Sequence, residues 1–155
     1  MQNGTKDDPA IPNVDLDLRG QLNIKQAAYI LKNSALHIGI DSLPVHIASF
    51  YDRPIIALYP NMYPAQSRPY WNRKNTPVLI EPHRNGLKPS YSTDENPKTV
   101  NMIFPEQIAR AVLAHFNCDE GFTQETLFIG PLYHQFAVEL VPDFILPRDK
   151  FNDGI

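Results

Sequence analysis

"ALHIGIDSLPVHIASFYDRPIIALYP", residues 35–60, decides how this chain folds. It opens on "ALHIGI", an apolar run of strand length whose composition suits a strand buried on both faces of a parallel sheet. Asp41 and Ser42 end the run. "LPVHIASFYD" follows as a helix with Pro44 in its first turn, where a missing backbone N–H leaves nothing unpaired. "PIIALYP", residues 54–60, is a second apolar strand. Strand, helix and strand joined by short links form a βαβ unit, and the crossover makes its two strands parallel.

Working upstream, "LNIKQAAYILKNS" places Asn23 as an N-cap with Gln26 three residues on, the spacing of a capping box. Ile24, Ala27, Ala28 and Leu31 then share one helical stripe, which predicts a helix over residues 23–33. Before it, "VDLDLRG" (14–20) alternates Val14, Leu16 and Leu18 with charged residues, as a short half-exposed strand ending at Gly20 would. Residues 1–13 read as a flexible leader.

Downstream, many of the 15 prolines fall between Pro60 and Pro97 and predict a long irregular excursion, interrupted by a short strand "PVLIEP" at 77–82. "FPEQIARAVLAHF" is a helix with Pro105 in its first turn and Glu106 near the positive end of its dipole; Ile108, Ala109, Val112 and Phe116 share a face. Around Gly130-Pro131, "ETLFIGPLYHQFAVELVPDFIL" reads as two strands. The expected organisation is a leader (1–13), an incomplete Rossmann-like α/β domain (14–118), and a β-hairpin extension or the start of a further domain (119–155).

Composition narrows the function. Hydrophobic residues at 43% and charged residues at 20% describe a soluble globular chain, and no stretch reaches membrane-spanning length. "MQNGTKDDPAIPN" lacks the apolar core of a signal peptide, so a cytoplasmic location is expected, at most peripheral to the inner face of a membrane. A net charge of −3 without a long Lys/Arg run argues against nucleic acid as a partner. The single cysteine, Cys118, cannot form an internal disulfide and reads as a partly buried thiol near a helix end. His37, His46, His83, His115 and His134 show no short ligand spacing, so no metal is expected.

Ligands of open parallel sheets bind where strand-to-helix loops converge, at the carboxyl ends of the strands. Asp41 and Ser42 occupy such an end. The helix after them directs unpaired N–H groups and a positive dipole end into the same crevice, which favours a phosphate. Ser42 can cap the helix or donate to a phosphate oxygen. Asp41 can accept from sugar hydroxyls, and His46 lies about half a turn further on. Taken singly, these residues fit simple capping and packing as well. Ser42 lacks the flanking glycines of a nucleophile elbow, which argues against a serine hydrolase.

The stretch "LNIKQAAYILKNSALHIGIDSLPVHIASFYDRPIIALYP" resembles the C-terminal half of heptosyltransferase-type glycosyltransferases, glycosyltransferase family 9. The positions that carry the resemblance are Gly39, Asp41, Ser42, Pro44, His46, Ala48, Pro54, Ala57 and Leu58, and "NMIFPEQIARAVLAHF" is similar to that domain's closing helix. The resemblance implies the C-terminal, donor-binding half of a GT-B fold. It also implies inverting transfer of a sugar from a nucleotide diphosphate, without cofactor or metal, to a glycan or lipid-linked acceptor. By the same resemblance, Asp41, Ser42, Leu43, Pro44 and His46 hold the donor. Tyr63, Arg68 and Arg73, on the excursion after the "ALYP" strand, are further phosphate or base contacts.

Two departures stand out. Leu43 replaces a glycine, so a side chain stands where backbone approaches phosphate. The acceptor domain that carries the family's base has no counterpart here, so no catalytic residue is assigned and the chain reads as a fragment inactive alone. The rival reading is a binding or assembly module, a homo-oligomer included, that keeps the fold without the chemistry.

Overall fold

In a computed structural model, residues 1–84, 86–92, 94–96, 98–118 and 121–126 are described. Three strands, β1 (His37–Ile40), β2 (Ile55–Leu58) and β3 (Val78–Ile80), pair in parallel in the order β1-β2-β3. The register sets Ile38 beside Ile56 and Ile40 beside Leu58, and Ile56 in turn beside Val78 and Leu58 beside Ile80. With helices packed on both faces of this sheet, the fold is a partial Rossmann-like α/β architecture, as the sequence predicts.

The helix α1 (Ile24–Lys32) starts at the expected capping box: Asn23 Oδ1 accepts from Gln26 N–H at 3.0 Å, and Gln26 Oε1 accepts from Asn23 N–H at 2.9 Å. Its neighbour α2 (Leu43–Phe50) is the crossover between β1 and β2. Leu31 from α1 and Val45 and Ala48 from α2 bury against Ile55, Ala57 and Tyr59 on one face of the sheet. On the opposite face, α4 (Pro105–His115) lays Ile108, Ala111 and Val112 over Ile56, Leu58, Ile80 and Ile103. Strand alternation sends successive β2 residues to opposite layers, and Ile55, Ile56 and Ala57 are all buried. Burying each isoleucine contributes about 1.5–3 kcal/mol.

Several expectations are corrected. The run "ALHIGI" is not buried on both faces: Ile38 is 45% and Ile40 52% exposed. They share a face with Ile56 and Leu58, but α4 packs over β2 and β3, and among the described residues no helix lies over that side of the outer strand. "VDLDLRG" forms no strand of the sheet, only a bridge between Asp17 and Gln2. Gln2 N–H donates to Leu16 O, Leu18 N–H to Gln2 O and Gly20 N–H to Gly4 O, each at 2.9 Å, while Asp17 turns its carboxylate to Arg19 at 2.7 Å. Alternation therefore marks a half-exposed segment here without a sheet beside it.

Ile24 (59% exposed) and Phe116 (49%) stand outside the core, because each lies at the outer end of its helix, and Ala111 takes a core position on α4. Cys118, past the end of α4, is exposed rather than partly buried. The proline-rich excursion contains one short helix, α3 (Pro64–Ser67), started by Pro64, and a 3-10 turn follows at Thr99–Met102. The expected hairpin around Gly130 lies outside the described residues.

Candidate functional site

Asp41 is the first residue beyond β1, and its N–H continues the sheet by donating to Leu58 O at 3.0 Å. Backbone pairing thus fixes where the side chain departs. The carboxylate is largely buried, 11% exposed, and its Oδ2 accepts from Ser67 Oγ at 2.7 Å. Its Oδ1 faces His46 Nε2 at 3.8 Å, longer than a hydrogen bond. His46, in the first half of α2, is partly exposed and stands nearly perpendicular to the Trp71 ring at a centroid distance of 6.1 Å.

Ser42 occupies the N-cap position of α2 in extended conformation, yet its hydroxyl makes no capping bond. It donates back to Ile40 O at 3.1 Å. The first turn of α2 therefore takes no donor-satisfying bond from Ser42. Leu43, 55% exposed, opens that turn, and Pro44 follows as its second residue.

Beneath the cluster lies Tyr59, fully buried, with its hydroxyl 3.5 Å from Ser67 O. Burial, reinforced by the Asp41 carboxylate and then by Tyr70, pushes the phenol up to about 12. It stays protonated at neutral pH and can only donate or accept as a neutral group. Trp71 N–H donates to the buried Ser49 Oγ of α2 at 3.0 Å, anchoring the excursion a second time.

Asp41, Ser42, Leu43, Pro44 and His46 thus stand together around the start of α2. The outlying candidates separate. Tyr63 sits at the N-cap of α3, its ring between the Arg84 guanidinium (5.6 Å) and Tyr91 (6.5 Å). Arg68, next to Ser67, lays its guanidinium over Tyr70 at 5.4 Å. Arg73 is held elsewhere: its backbone N–H donates to Asp52 Oδ1 at 2.9 Å, beyond the far end of α2.

Three contributors escaped sequence reasoning. Ser67 belongs to a segment that carries no motif, and Tyr59 follows resemblance positions without being singled out as one of them. Arg84, whose side chain is 8% exposed, donates through Nη2 to Tyr59 O (2.7 Å), Met62 O (3.1 Å) and Pro60 O (3.2 Å), and through Nη1 to Glu81 at 2.9 Å. One buried guanidinium thereby fixes the chain as it leaves β2, and only its neighbourhood in space reveals this. Among the described residues no group of three His, Cys, Asp or Glu stands close enough to hold a metal ion. None of the described helices is long and apolar enough to cross a membrane.

The arrangement offers a pre-aimed carboxylate, an imidazole and an uncapped helix start at the carboxyl end of a parallel sheet, the usual ligand end of Rossmann-like proteins. Residues 8–95, more than half of the chain, match the family model for glycosyltransferase family 9 (heptosyltransferase), and the chain belongs to that family. No curated protein and no solved structure matches it. Family membership makes it a glycosyltransferase-type chain, a class whose substrates are a sugar donor and an acceptor.

Proposed function

We propose that this chain supplies the donor-binding part of an inverting, metal-independent glycosyltransferase, as the C-terminal half of a GT-B fold. The observation that supports this reading best is the Asp41 carboxylate, oriented by Ser67 and facing His46 at the start of α2. In this reading Asp41 accepts hydroxyl protons from the donor sugar in hydrogen bonds. The first turn of α2 and His46 lie against the diphosphate, where the helix dipole offsets the negative charge that grows as the diphosphate departs. Trp71, whose ring meets His46, stands beside the same site. The acceptor and the base that activates it belong to the complementary half, so the chain alone binds donor without transferring sugar.

Calorimetric titration with ADP, UDP and GDP tests the reading. Saturable binding of one nucleotide is the expected result, with the added affinity of its sugar conjugate lost in Asp41→Ala. A folded chain that binds none of the three overturns it. One observation favours a second reading, an assembly module: Ile38 and Ile40 leave an apolar strip on the outer strand. A self-associated chain without nucleotide affinity is the outcome that would support it.

A further inference from the structure

Two strand-to-helix loops meet at the Asp41 cluster, and one hydroxyl joins them. Ser67 ends α3, in the loop after β2, and its Oγ lies 2.7 Å from Asp41 Oδ2 in the loop after β1. A serine hydroxyl has a single proton, so this bond commits it. Met62 Sδ, 3.0 Å from Ser67 Oγ, is the other acceptor within reach of that proton, and the charged carboxylate, closer at 2.7 Å, is the stronger of the two. The terminal torsion of an aspartate is soft, and a carboxylate without such a partner rotates broadly. With Oδ2 held, Oδ1 is the oxygen turned toward His46. The loop is pinned again four residues on, where Trp71 N–H meets Ser49 Oγ at 3.0 Å and the Trp71 ring borders His46.

We propose that Ser67 is a positioning residue for the donor sugar, acting through Asp41: it fixes which carboxylate oxygen is offered to the sugar hydroxyls, with Trp71 setting the opposite wall at His46. This rests on the donor-site reading and deepens it. Ser67 itself has no proton left for the ligand, so its influence is confined to ligands that carry a sugar beyond the diphosphate. Free nucleoside diphosphates bypass it.

The test titrates the wild-type chain, Ser67→Ala and Ser67→Thr with ADP, UDP and GDP and with ADP-glucose, UDP-glucose and GDP-mannose. Ser67→Ala is expected to weaken the nucleotide sugar roughly fivefold to tenfold, the range of one ordinary hydrogen bond, because the Asp41 carboxylate remains and only its orientation is lost. Affinity for the matching free diphosphate should stay within about twofold, the limit of independence between separate sites. Ser67→Thr, which keeps the hydroxyl, should restore the sugar-dependent part. In an Asp41→Ala background, Ser67→Ala should have no further effect. Equal losses for diphosphate and nucleotide sugar, or full additivity with Asp41→Ala, would overturn the assignment and leave the donor site standing. Failure of the wild-type chain to bind any of the six would overturn the donor-site reading and the role of Ser67 together. A crystal structure of Ser67→Ala decides the geometry without ligand: a carboxylate that keeps its wild-type orientation overturns positioning.

Discussion

Two aspartates flank α2, and their surroundings differ. Asp52, just past its end, has left-handed backbone (φ 54°) and receives the part of the excursion that leads into β3. Its carboxylate accepts backbone N–H groups from Arg73 at 2.9 Å, Lys74 at 3.1 Å and Asn75 at 3.2 Å. Asp41, at the other end, accepts one hydroxyl and turns its second oxygen to an imidazole beyond bonding distance. The Asp52 carboxylate spends its accepting capacity on backbone and acts as a clamp. Asp41 retains capacity, and it stands where parallel sheets receive ligands. A carboxylate's role is thus set by what remains of its lone pairs once the fold has used its share.

The largest effect that would sharpen this contrast is on binding. Asp41→Ala should weaken nucleotide-sugar affinity about 10- to 150-fold, the range of a lost charged hydrogen bond, with the thermal midpoint nearly unchanged. A large fall in midpoint with intact affinity would reverse the roles assigned to the two aspartates.

Alkali probes the Asp41 end next. Tyr59 ionises at about 12 in the folded chain, above its ordinary 10.0. A raised value means that the stability it contributes is complete below pH 10 and is lost as pH climbs through 12. Denaturant midpoints measured from pH 9 to 12 should fall for wild type and fall less for Tyr59→Phe.

Acid probes the other end. Bonding to Arg73 N–H, aided by the Asn75 and Lys74 N–H groups and the Asn72 side chain, holds the Asp52 carboxyl below its ordinary 3.8. Its contribution is therefore present above pH 3.8 and disappears as pH drops through the lowered folded value. Asp52→Ala should lower the thermal midpoint at neutral pH, flatten the acid limb of the stability profile and leave nucleotide affinity intact. A loss of affinity in that variant would break the division between clamp and site. The smallest effect belongs to a position remote from both: Asn23→Ala removes the α1 cap and should cost about 1 kcal/mol in chemical denaturation, without altering binding.

How much of this was legible beforehand differs by element. The α1 cap could be read because a capping box is local, confined to Asn23 and Gln26. The strands β1 and β2 could be read from continuous apolar runs, and α4 from Pro105 and its stripe. Residues 14–20 misled because alternation reports a half-exposed environment and not the presence of a neighbouring strand. Of the candidate site, the Asp41-to-His46 segment was legible as one strand-to-helix turn, and the structure keeps it together. Arg73 was placed by the resemblance, as part of the excursion after the "ALYP" strand, whereas Asp52 holds its backbone beyond the opposite end of α2.

By itself, then, the sequence determined the kinds of element, their order and the turn that carries Asp41, because periodicity, caps and prolines act over a few neighbouring residues. Only tertiary structure decided that α4 leaves Ile38 and Ile40 uncovered, that Ser67 takes one oxygen of Asp41, and that Arg84 ties off the chain beyond β2. Each of these depends on groups brought together from distant positions, where distance and orientation matter and sequence spacing carries no information.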